Sequence, residues 1–432
     1  IMRKYSLMSK RLFTVALGAV VMAACDLDVT NPNQPTEEQI LSNSEGLIAL
    51  GVGLQGQFAQ SIDDYVIPPA LVTDEWGTKT RALLSYQSLL TGLSFENTYD
   101  IVANPYANTY QTVRTANTML TALPGSGFTG AFAAGYSALA KTYKAMALGY
   151  ASLIFEKLPV NAEAAGGVPK PRAEVQDSVL ALLLSARTEL QAVTDGELAT
   201  FNARLLPVTG FNLRNVINAM IARYSLFRGL NQQANDAAAL VPATSLSTLN
   251  YPAPTVNPVQ NLGFGLIYIG GLRSWVTAAE AGDRRPNYWL NTTAATFTGT
   301  PDSTMYDFRK YTGVNDPFPI YLPDEMKLIR AEAQARLGSL TNAIDLINQV
   351  RTQATSTIDE PVAGLPALTA AQLPDLNAVL RQIAIERRYE LYMQGLRWED
   401  IRRLGTAASA VTFTFLPLPA VECRANPNAG CS

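Results

Sequence analysis

Apolar residues recur at helical spacing along most of this chain, whereas the long alternating patterns typical of strands are few. The clearest example lies near 324–354, where one apolar stripe at i, i+3 and i+7 is followed by a second at i, i+4 and i+7. The stripes consist of Leu328, Ala331 and Ala335, then Ala343, Ile347 and Val350, with Gly338 between them. This pattern predicts two closely crossing helices, a hairpin of the tetratricopeptide (TPR) kind.

Two further segments, near 135–195 and near 215–241, repeat the plan of two apolar helices joined by a turn. The copies do not follow one another at a fixed period, which argues against a repeat solenoid. Long stretches rich in Pro, Gly and Thr separate them, and such loops usually carry function or are mobile. We therefore predict a mostly all-α fold over 37–432, in which TPR-like hairpins form a scaffold with long irregular loop insertions.

The N-terminal part of the chain has the pattern of an export signal. A start at Met2 or at Met8 is followed by basic residues and then by a largely apolar run of 13 residues, 12–24. A helix that spans a bilayer needs about 20 residues. We therefore interpret 1–24 as a signal peptide rather than a membrane anchor.

The apolar run ends in Ala-Ala-Cys, which resembles the lipobox of bacterial lipoproteins. In that interpretation Cys25 is lipidated and becomes the first residue of the mature protein, and the polar segment 25–36 tethers the domain to a membrane. The alternative is ordinary signal cleavage beside a cysteine that stands there by chance.

The composition removes whole classes of chemistry. The 432 residues include no histidine, which excludes Ser-His-Asp and Cys-His catalysis and every His-ligated metal site. A net charge of −3 gives no electrostatic basis for binding nucleic acid. We expect no metal and no cofactor, while carboxylate pairs of the glycosidase type remain compatible with the composition.

Two further cysteines, Cys423 and Cys431, lie near the C-terminus in a short segment with Asn, Pro and Gly between them. An exported protein meets oxidising conditions, and this loop can turn back on itself, so we favour a disulfide. Two thiols with no histidine nearby make an incomplete zinc ligand set.

Acidic and arginine residues are concentrated in 383–405, although only 16% of the chain is charged. Apolar stripes flank these charges, and Gly395 is placed to end the first of two helices. Charges three or four residues apart allow local pairs: Arg387 with Glu390, Glu399 with Arg402 or Arg403, and Asp400 with Arg403. We favour a partly buried network that locks two helices together over a catalytic pair, because surplus arginine keeps both acids ionised.

The same stretch closely resembles a signature of the SusD/RagB family of outer-membrane nutrient-binding lipoproteins. The matching positions are Glu386, Arg387, Glu390, Leu391, Gly395, Arg397, Asp400 and Arg403. Gln394 and Ile401 depart from the usual Glu and Leu. Other segments, among them 281–285 and 415–428, also resemble parts of the family, so the likeness extends over nearly the whole mature chain.

The resemblance implies a cell-surface lipoprotein of the outer membrane that binds an oligosaccharide or a peptide. It implies delivery of that ligand to a TonB-dependent barrel of the SusC type, with no catalysis, no cofactor and no nucleic acid. Two alternatives remain open at this stage. One is a TPR-type scaffold lipoprotein for outer-membrane assembly, and the other is a lipid-anchored glycosidase with two carboxylates about 5–10 Å apart.

Flat aromatic rings are the best candidates for a sugar platform, because C–H faces of pyranose rings pack on them. We expect Trp398, inside the signature, to belong to the core. The ligand-binding candidates are Trp76 and Trp289 first, then Tyr288, Trp275 and Tyr65, all in predicted loop regions beside polar residues. The alternative for each ring is simple packing beneath its own loop.

Overall fold

Helices form most of the computed structural model, which describes residues 40–41, 43–162, 166–206, 210–293, 298–301, 304–405 and 413–431. The predicted signal peptide, the tether and Cys25 lie outside the described residues. In the N-terminal half the helices are α1 (Ser44–Gln60), α2 (Ile62–Val72), α3 (Leu84–Thr91), α4 (Asp100–Ala122), α5 (Gly130–Ile154), α6 (Arg172–Gln191), α7 (Ala199–Leu205), α8 (Leu213–Phe227) and α9 (Asn231–Ala239). Those that follow are α10 (Arg273–Thr277), α11 (Arg285–Trp289), α12 (Pro323–Arg336), α13 (Leu340–Arg351), α14 (Leu376–Glu390), α15 (Arg397–Leu404) and α16 (Ala420–Ala425).

Three helix pairs coincide with the predicted hairpins: α5 with α6, α8 with α9, and α12 with α13. The turn of the last pair contains Gly338 at φ +89°, a left-handed conformation that glycine adopts without strain. The pairs also pack on one another, with α8 against α6 and α9 against α12. The predicted mostly α fold with a TPR-like scaffold is confirmed.

Short strands fasten the connecting segments to this scaffold. They are β1 (Trp76–Lys79), β2 (Lys157–Leu158), β3 (Lys170–Pro171), β4 (Ser247–Leu249), β5 (Ile269–Leu272), β6 (Gly299–Thr300), β7 (Met305–Tyr306) and β8 (Phe318–Tyr321). The largest sheet has the order β6-β1-β5-β7, with Trp76 opposite Gly271 and Thr78 opposite Thr300. All three of its strand pairs are antiparallel.

One large hydrophobic core extends from α1 to α12 and continues into α15. A second, smaller cluster is formed by the inward faces of α12, α13 and α14. The charged stretch therefore lies between two apolar clusters, with α14 and α15 held from both sides. Among the described residues, no helix has both the length and the apolar character needed to cross a bilayer.

The C-terminal segment is closed by a covalent bond. Cys423 and Cys431 form a disulfide, with a Cα–Cα distance of 5.6 Å. Asn426 lies inside this loop and is 3% exposed. Its side chain donates a hydrogen bond of 2.8 Å to the carbonyl of Gly167, so the loop is also tied to the segment before α6.

The longest helix, α5, is buried over most of its length and crosses α8 closely at Gly149. A Cβ at this position would lie 2.2 Å from Tyr224 of α8, whose side chain is completely buried. We expect Gly149→Ala to lower the free energy of unfolding by about 1–3 kcal/mol, because the helices must separate to admit a methyl group.

Chemical denaturation measures this effect, and Gly53→Ala is the matched control. Gly53 lies inside α1, where an added Cβ would have no other atom within 4 Å. The control should gain roughly 0.5–1 kcal/mol from better helix propensity. Equal responses of the two variants would contradict the close crossing.

Candidate functional site

The charged stretch 383–405 forms a buried ion-pair network that joins α14, α15 and α12. Arg387 of α14 donates a hydrogen bond of 2.8 Å from Nε to Asp400 of α15. Arg403 donates to the other carboxylate oxygen of Asp400 at 3.0 Å, and to Glu332 of α12 at 2.5 Å. The predicted pair of Asp400 with Arg403 is present, but the pairing of Arg387 with Glu390 was wrong, because Arg387 faces Asp400 instead.

Glu390 and Glu386 face an arginine from a distant part of the chain. The guanidinium of Arg285 lies 2.7 Å from Glu386, 3.6 Å from Glu390 and 2.7 Å from Asp283. Arg351 of α13 adds a contact of 3.0 Å to Glu386. The segment that contains Arg285 is therefore docked on α14 by buried charges rather than exposed for a ligand.

The turn between α14 and α15 is held close to α2. Gly395 has φ +70°, and a Cβ there would lie 2.9 Å from the Cα of Val66 and 3.0 Å from the carbonyl oxygen of Tyr65. Glu399, at the start of α15, pairs with Arg402 at 2.6 Å, as predicted, and also with Arg172. A glycine is needed here both for the backbone conformation and for the close approach of α2.

The network has the chemistry of a structural element. Burial opposes ionisation of Asp400, but Arg387 and Arg403 outweigh it and hold its pKa below the usual value. Burial, together with the charge of Arg388, lowers the pKa of Arg397, which is itself 6% exposed. An acid that stays ionised has no proton to donate, so Asp400 is unsuited to general acid catalysis.

The tryptophans predicted as sugar platforms are buried, and this corrects the sequence interpretation. Trp76 is 0% exposed and lies on strand β1, with its ring 5.3 Å from that of Phe308. Trp275, on α10, is 1% exposed and packs 4.1 Å from the ring of Tyr392. A ring with no exposed face offers nothing for a sugar to stack on.

Trp289 and Tyr65 are corrected in the same way. Trp289 is 0% exposed, and its indole nitrogen donates a hydrogen bond of 2.9 Å to the carbonyl of Tyr389. Tyr65 is 1% exposed, and its hydroxyl lies 3.0 Å from that of Thr109. These aromatic residues, together with the equally buried Trp398, fix α2, α10, α11 and the sheet to the signature helices.

Tyr288 is the remaining candidate, and it lines an open cavity of 580 Å³. Its hydroxyl donates a hydrogen bond of 2.8 Å to Asp359, and Lys310 lies 5.2 Å above the centre of its ring. Because Trp289 packs edge-on against the same ring at 4.8 Å, Tyr288 offers its polar edge rather than a free face. We call this site the Tyr288 cavity. Its lining residues are Arg284, Asn287, Tyr288, Arg309, Lys310, Tyr311, Asp316 and Asp359.

A second group of aromatic and polar side chains gathers where α2, α3 and α4 meet the segment before β5. We call it the Tyr86 cluster. Its members are Asp63, Asp64, Tyr86, Asp100, Asn104, Asn108 and Tyr268. The first turn of α2 supplies two of the acids, and one face of α4 supplies the third acid and both amides, at i, i+4 and i+8. The rings of Tyr86 and Tyr268 meet edge-on at 6.0 Å, and both are half-buried.

The acids of the Tyr86 cluster differ from those of the signature because none has a cation beside it. Among the described residues, no ion pair involves Asp63, Asp64 or Asp100, and Asp64 accepts a hydrogen bond of 2.6 Å from Asn108. Burial, followed by repulsion from Asp64, raises the pKa of Asp63 from 3.8 to about 8. Burial, with the charge of Asp100, raises that of Asp64 to about 6 against the hydrogen bonds from two asparagines.

Carboxyl groups whose pKa values are raised by burial, with no cation beside them, are candidates for a functional site. No group of three or more acidic, cysteine or histidine side chains in the described part of the chain is arranged to hold a metal ion. The three acids and two amides of the Tyr86 cluster lie beside two half-buried rings. This combination of donors, acceptors and aromatic surface suits a sugar.

Sequence reasoning did not find the Tyr86 cluster, because its members are spread over 63–268 in four separate segments. One local signal was present. Asp63 and Asp64 interrupt an otherwise apolar helix, whose other residues from Ile62 to Val72 are all buried. Burial of two adjacent acids in such a helix is energetically unfavourable. Their presence therefore indicates either a local loss of stability or a functional site.

Comparison with known proteins finds a family, a sequence relative and solved structures that this chain is similar to. Residues 277–427 match the model of the SusD family, a region that contains the whole charged signature. A curated relative, SusD-like protein P38 from Formosa agariphila, is 32% identical over 93 residues, which are 20% of this chain and 17% of that protein. The aligned part is thus less than a fifth of the relative's length.

Solved structures match over nearly the whole chain. A SusD superfamily protein from Bacteroides fragilis has a TM-score of 0.69 at 16% identity, over 91% of this chain and 100% of its own. Surface glycan-binding protein A from Bacteroides thetaiotaomicron has a TM-score of 0.69 at 14% identity, over 89% and 98%. A laminarin binding SusD-like protein has a TM-score of 0.63 at 18% identity, over 87% and 97%. Residues 277–427, with the charged signature inside them, thus match the SusD family, and the fold of SusD superfamily proteins is shared over nearly the whole chain.

Proposed function

We propose that this protein is a non-catalytic glycan-binding protein of the cell surface, and that the Tyr86 cluster is its sugar site. The observation that carries this proposal is the set of three acids without ion-pair partners, held beside two half-exposed tyrosines at a junction of four segments. The names of two structural relatives, a laminarin binding protein and a surface glycan-binding protein, support the ligand class.

The chemistry of the cluster fits sugars in two ways. Carboxylate and amide oxygens accept hydrogen bonds from sugar hydroxyls, while asparagine NH₂ groups donate to them. The tyrosine rings offer apolar surface to the C–H faces of a pyranose. Because the acids carry no salt bridge, a sugar does not need to break one before it binds.

The adjacent acids do not form the catalytic pair of a glycosidase. Asp63 and Asp64 are neighbours in α2, and consecutive residues on a helix do not face each other. A glycosidase holds its two carboxyl groups on either side of the bond that is cleaved. We therefore favour binding without hydrolysis.

The match of residues 277–427 to the SusD family supports a wider role. We infer that the protein is held at the outer membrane by a lipid on Cys25, which lies outside the described residues, and that it passes its glycan to a TonB-dependent barrel of the SusC type. The TPR-like hairpins offer a stiff docking surface for such a partner. The peptide-ligand and assembly-scaffold hypotheses have less support, because the structural relatives named for a ligand are named for glycans.

Truncation of the two half-buried tyrosines tests the sugar site. The purified protein is run through gels that contain soluble neutral polysaccharides: laminarin, amylopectin, xyloglucan, arabinoxylan or galactomannan. We expect at least one polymer to retain the wild type. Tyr86→Ala and Tyr268→Ala should each weaken that binding at least tenfold, about 1.4 kcal/mol, with the melting temperature nearly unchanged.

Phe132→Ala is the matched control, because Phe132 is a half-buried ring near the start of α5, where it packs on Phe201. It should bind as the wild type does. Retention by no polymer, or full binding by both tyrosine variants, would contradict the proposed site. Release of shorter sugars from the retained polymer would contradict the non-catalytic role.

A further inference from the structure

The Tyr288 cavity has the opposite electrostatic character to the Tyr86 cluster. The chain as a whole carries 33 basic and 36 acidic residues, yet the cavity is lined by three cations and two carboxylates. Both carboxylates are already engaged. Asp359 accepts from the Tyr288 hydroxyl and pairs with Lys310, while Asp316 accepts a hydrogen bond of 2.8 Å from the backbone N–H of Gly313.

The two arginines of the cavity are anchored without being neutralised. Arg309 donates from Nη1 to the carbonyl of Asn287 at 3.1 Å, and Arg284 donates from Nη1 to the carbonyl of Ala354 at 3.3 Å. Neither forms an ion pair with any described residue, and both are exposed. Each guanidinium therefore keeps a second terminal nitrogen that has no hydrogen-bond partner among the described residues.

Arg285, the next residue in the chain, has a structural role and differs from Arg284 in its surroundings. Arg285 is 0% exposed and lies against three carboxylates, whereas Arg284 is exposed and lines the cavity. The side chain of Arg284 also packs against the backbone of Gly364. A Cβ added to Gly364 would lie 2.9 Å from Nε of Arg284. A positioned guanidinium with free donors binds carboxylate or sulfate in a bidentate manner.

We propose that the Tyr288 cavity binds the anionic group of an acidic polysaccharide, either the carboxylate of a uronic acid or a sulfate ester. Arg284 and Arg309 are the anion-binding residues, and Tyr288, fixed by Asp359, positions the sugar edge. The glycan source of the anion rests on the proposed function, but the anion site itself does not depend on the Tyr86 cluster.

Pairs of polymers that differ only in charge test the proposal. Polygalacturonate is compared with its fully methyl-esterified form, and ι-carrageenan with its desulfated form, by titration calorimetry at low and at high salt. We expect at least one acidic polymer to bind tenfold or more tightly than its neutral counterpart, and to lose affinity as salt is raised. Arg284→Gln and Arg309→Gln should each weaken that binding at least tenfold.

The control is Arg187→Gln, because Arg187 lines a different cavity, beside Arg214. It should bind the acidic polymer as the wild type does. Equal binding of acidic and neutral forms in both pairs, or an equal loss in all three arginine variants, would overturn the proposal. Titration with sodium sulfate separates the sources: binding of the free ion without binding of any acidic polymer also overturns it.

The two sites fail independently of each other. If the neutral polymers are not retained but an acidic polymer binds through Arg284 and Arg309, the Tyr86 cluster is wrong and the Tyr288 cavity stands. If neutral polymers bind through Tyr86 and no acidic polymer is preferred, the Tyr86 cluster stands and the proposal for the Tyr288 cavity is wrong.

Discussion

Asp400→Ala is expected to lower the free energy of unfolding by about 3–5 kcal/mol, the usual cost of removing one partner of a buried ion pair. Asp400 is 2% exposed and accepts hydrogen bonds from both Arg387 and Arg403. Arg403 keeps Glu332 as a second partner, whereas Arg387, at 1% exposure, loses the only carboxylate among the described residues with which it forms an ion pair. Urea denaturation of the purified protein measures the loss.

Asp177→Ala is the control for this prediction. Asp177 accepts two hydrogen bonds from Arg228, at 2.7 and 3.1 Å, but both side chains of this pair are partly exposed. Water replaces the lost partner there, so the cost should be no more than about 1 kcal/mol. If Asp400→Ala is as mild as the control, the network does not hold α15 onto α14.

Arg285→Gln is expected to be similarly damaging, at about 3–5 kcal/mol near pH 8, and to recover partly in acid. The change leaves Asp283, Glu386 and Glu390 close together, with their side chains at most 1% exposed. Glu390 is the most sensitive of the three, because burial and repulsion from Asp324 raise its pKa well above the usual value even in the wild type.

The sign of the pH effect follows from proton linkage. Without Arg285, the folded-state pKa of Glu390, already raised in the wild type, lies further above its unfolded value, near 4. The folded variant then binds more protons than its unfolded chain, so stability is gained as the pH falls towards 4 and lost as it rises. Denaturation at pH 5 and at pH 8 should show a smaller difference from the wild type at pH 5.

Arg228→Gln serves as the control for Arg285→Gln, since Arg228 pairs with an exposed aspartate. It should show a small loss that is nearly the same at both pH values. A loss in Arg285→Gln that does not change between pH 5 and pH 8 would indicate that the arginine contributes by packing alone. The salt bridges to Glu386 and Glu390 would then have little energetic role.

Short-range patterns were sufficient for the scaffold. The stripes that predict a hairpin near 324–354 form α12 and α13, because the spacing of apolar residues along a helix is a local property. The pair of Asp400 with Arg403 was predictable for the same reason, since residues three apart are neighbours on a helix surface. The charged signature of the family also lies in one continuous stretch, 383–405.

Local sequence patterns could not predict ion-pair or packing partners that are distant in sequence. Glu390 was expected to pair with Arg387, but Arg285, about a hundred residues earlier in the chain, lies beside it instead. The tryptophans have polar neighbours in sequence, yet each is covered by aromatic side chains from other segments, as Trp275 is by Tyr389 and Tyr392. Polar sequence neighbours do not report what packs above a ring.

In the candidate sites, too, the residue types are given by the sequence but their surroundings are decided by the tertiary structure. Arg284 and Arg285 are adjacent and chemically identical in sequence, but the fold turns one into an open cavity and the other onto three buried carboxylates. Helical periodicity, a signal peptide pattern and the family signature can all be read locally, because each depends on residues within a few turns of one another. Burial and ion pairing depend on which segments meet in space, and folding alone brings α2, α3, α4 and the Tyr268 segment together.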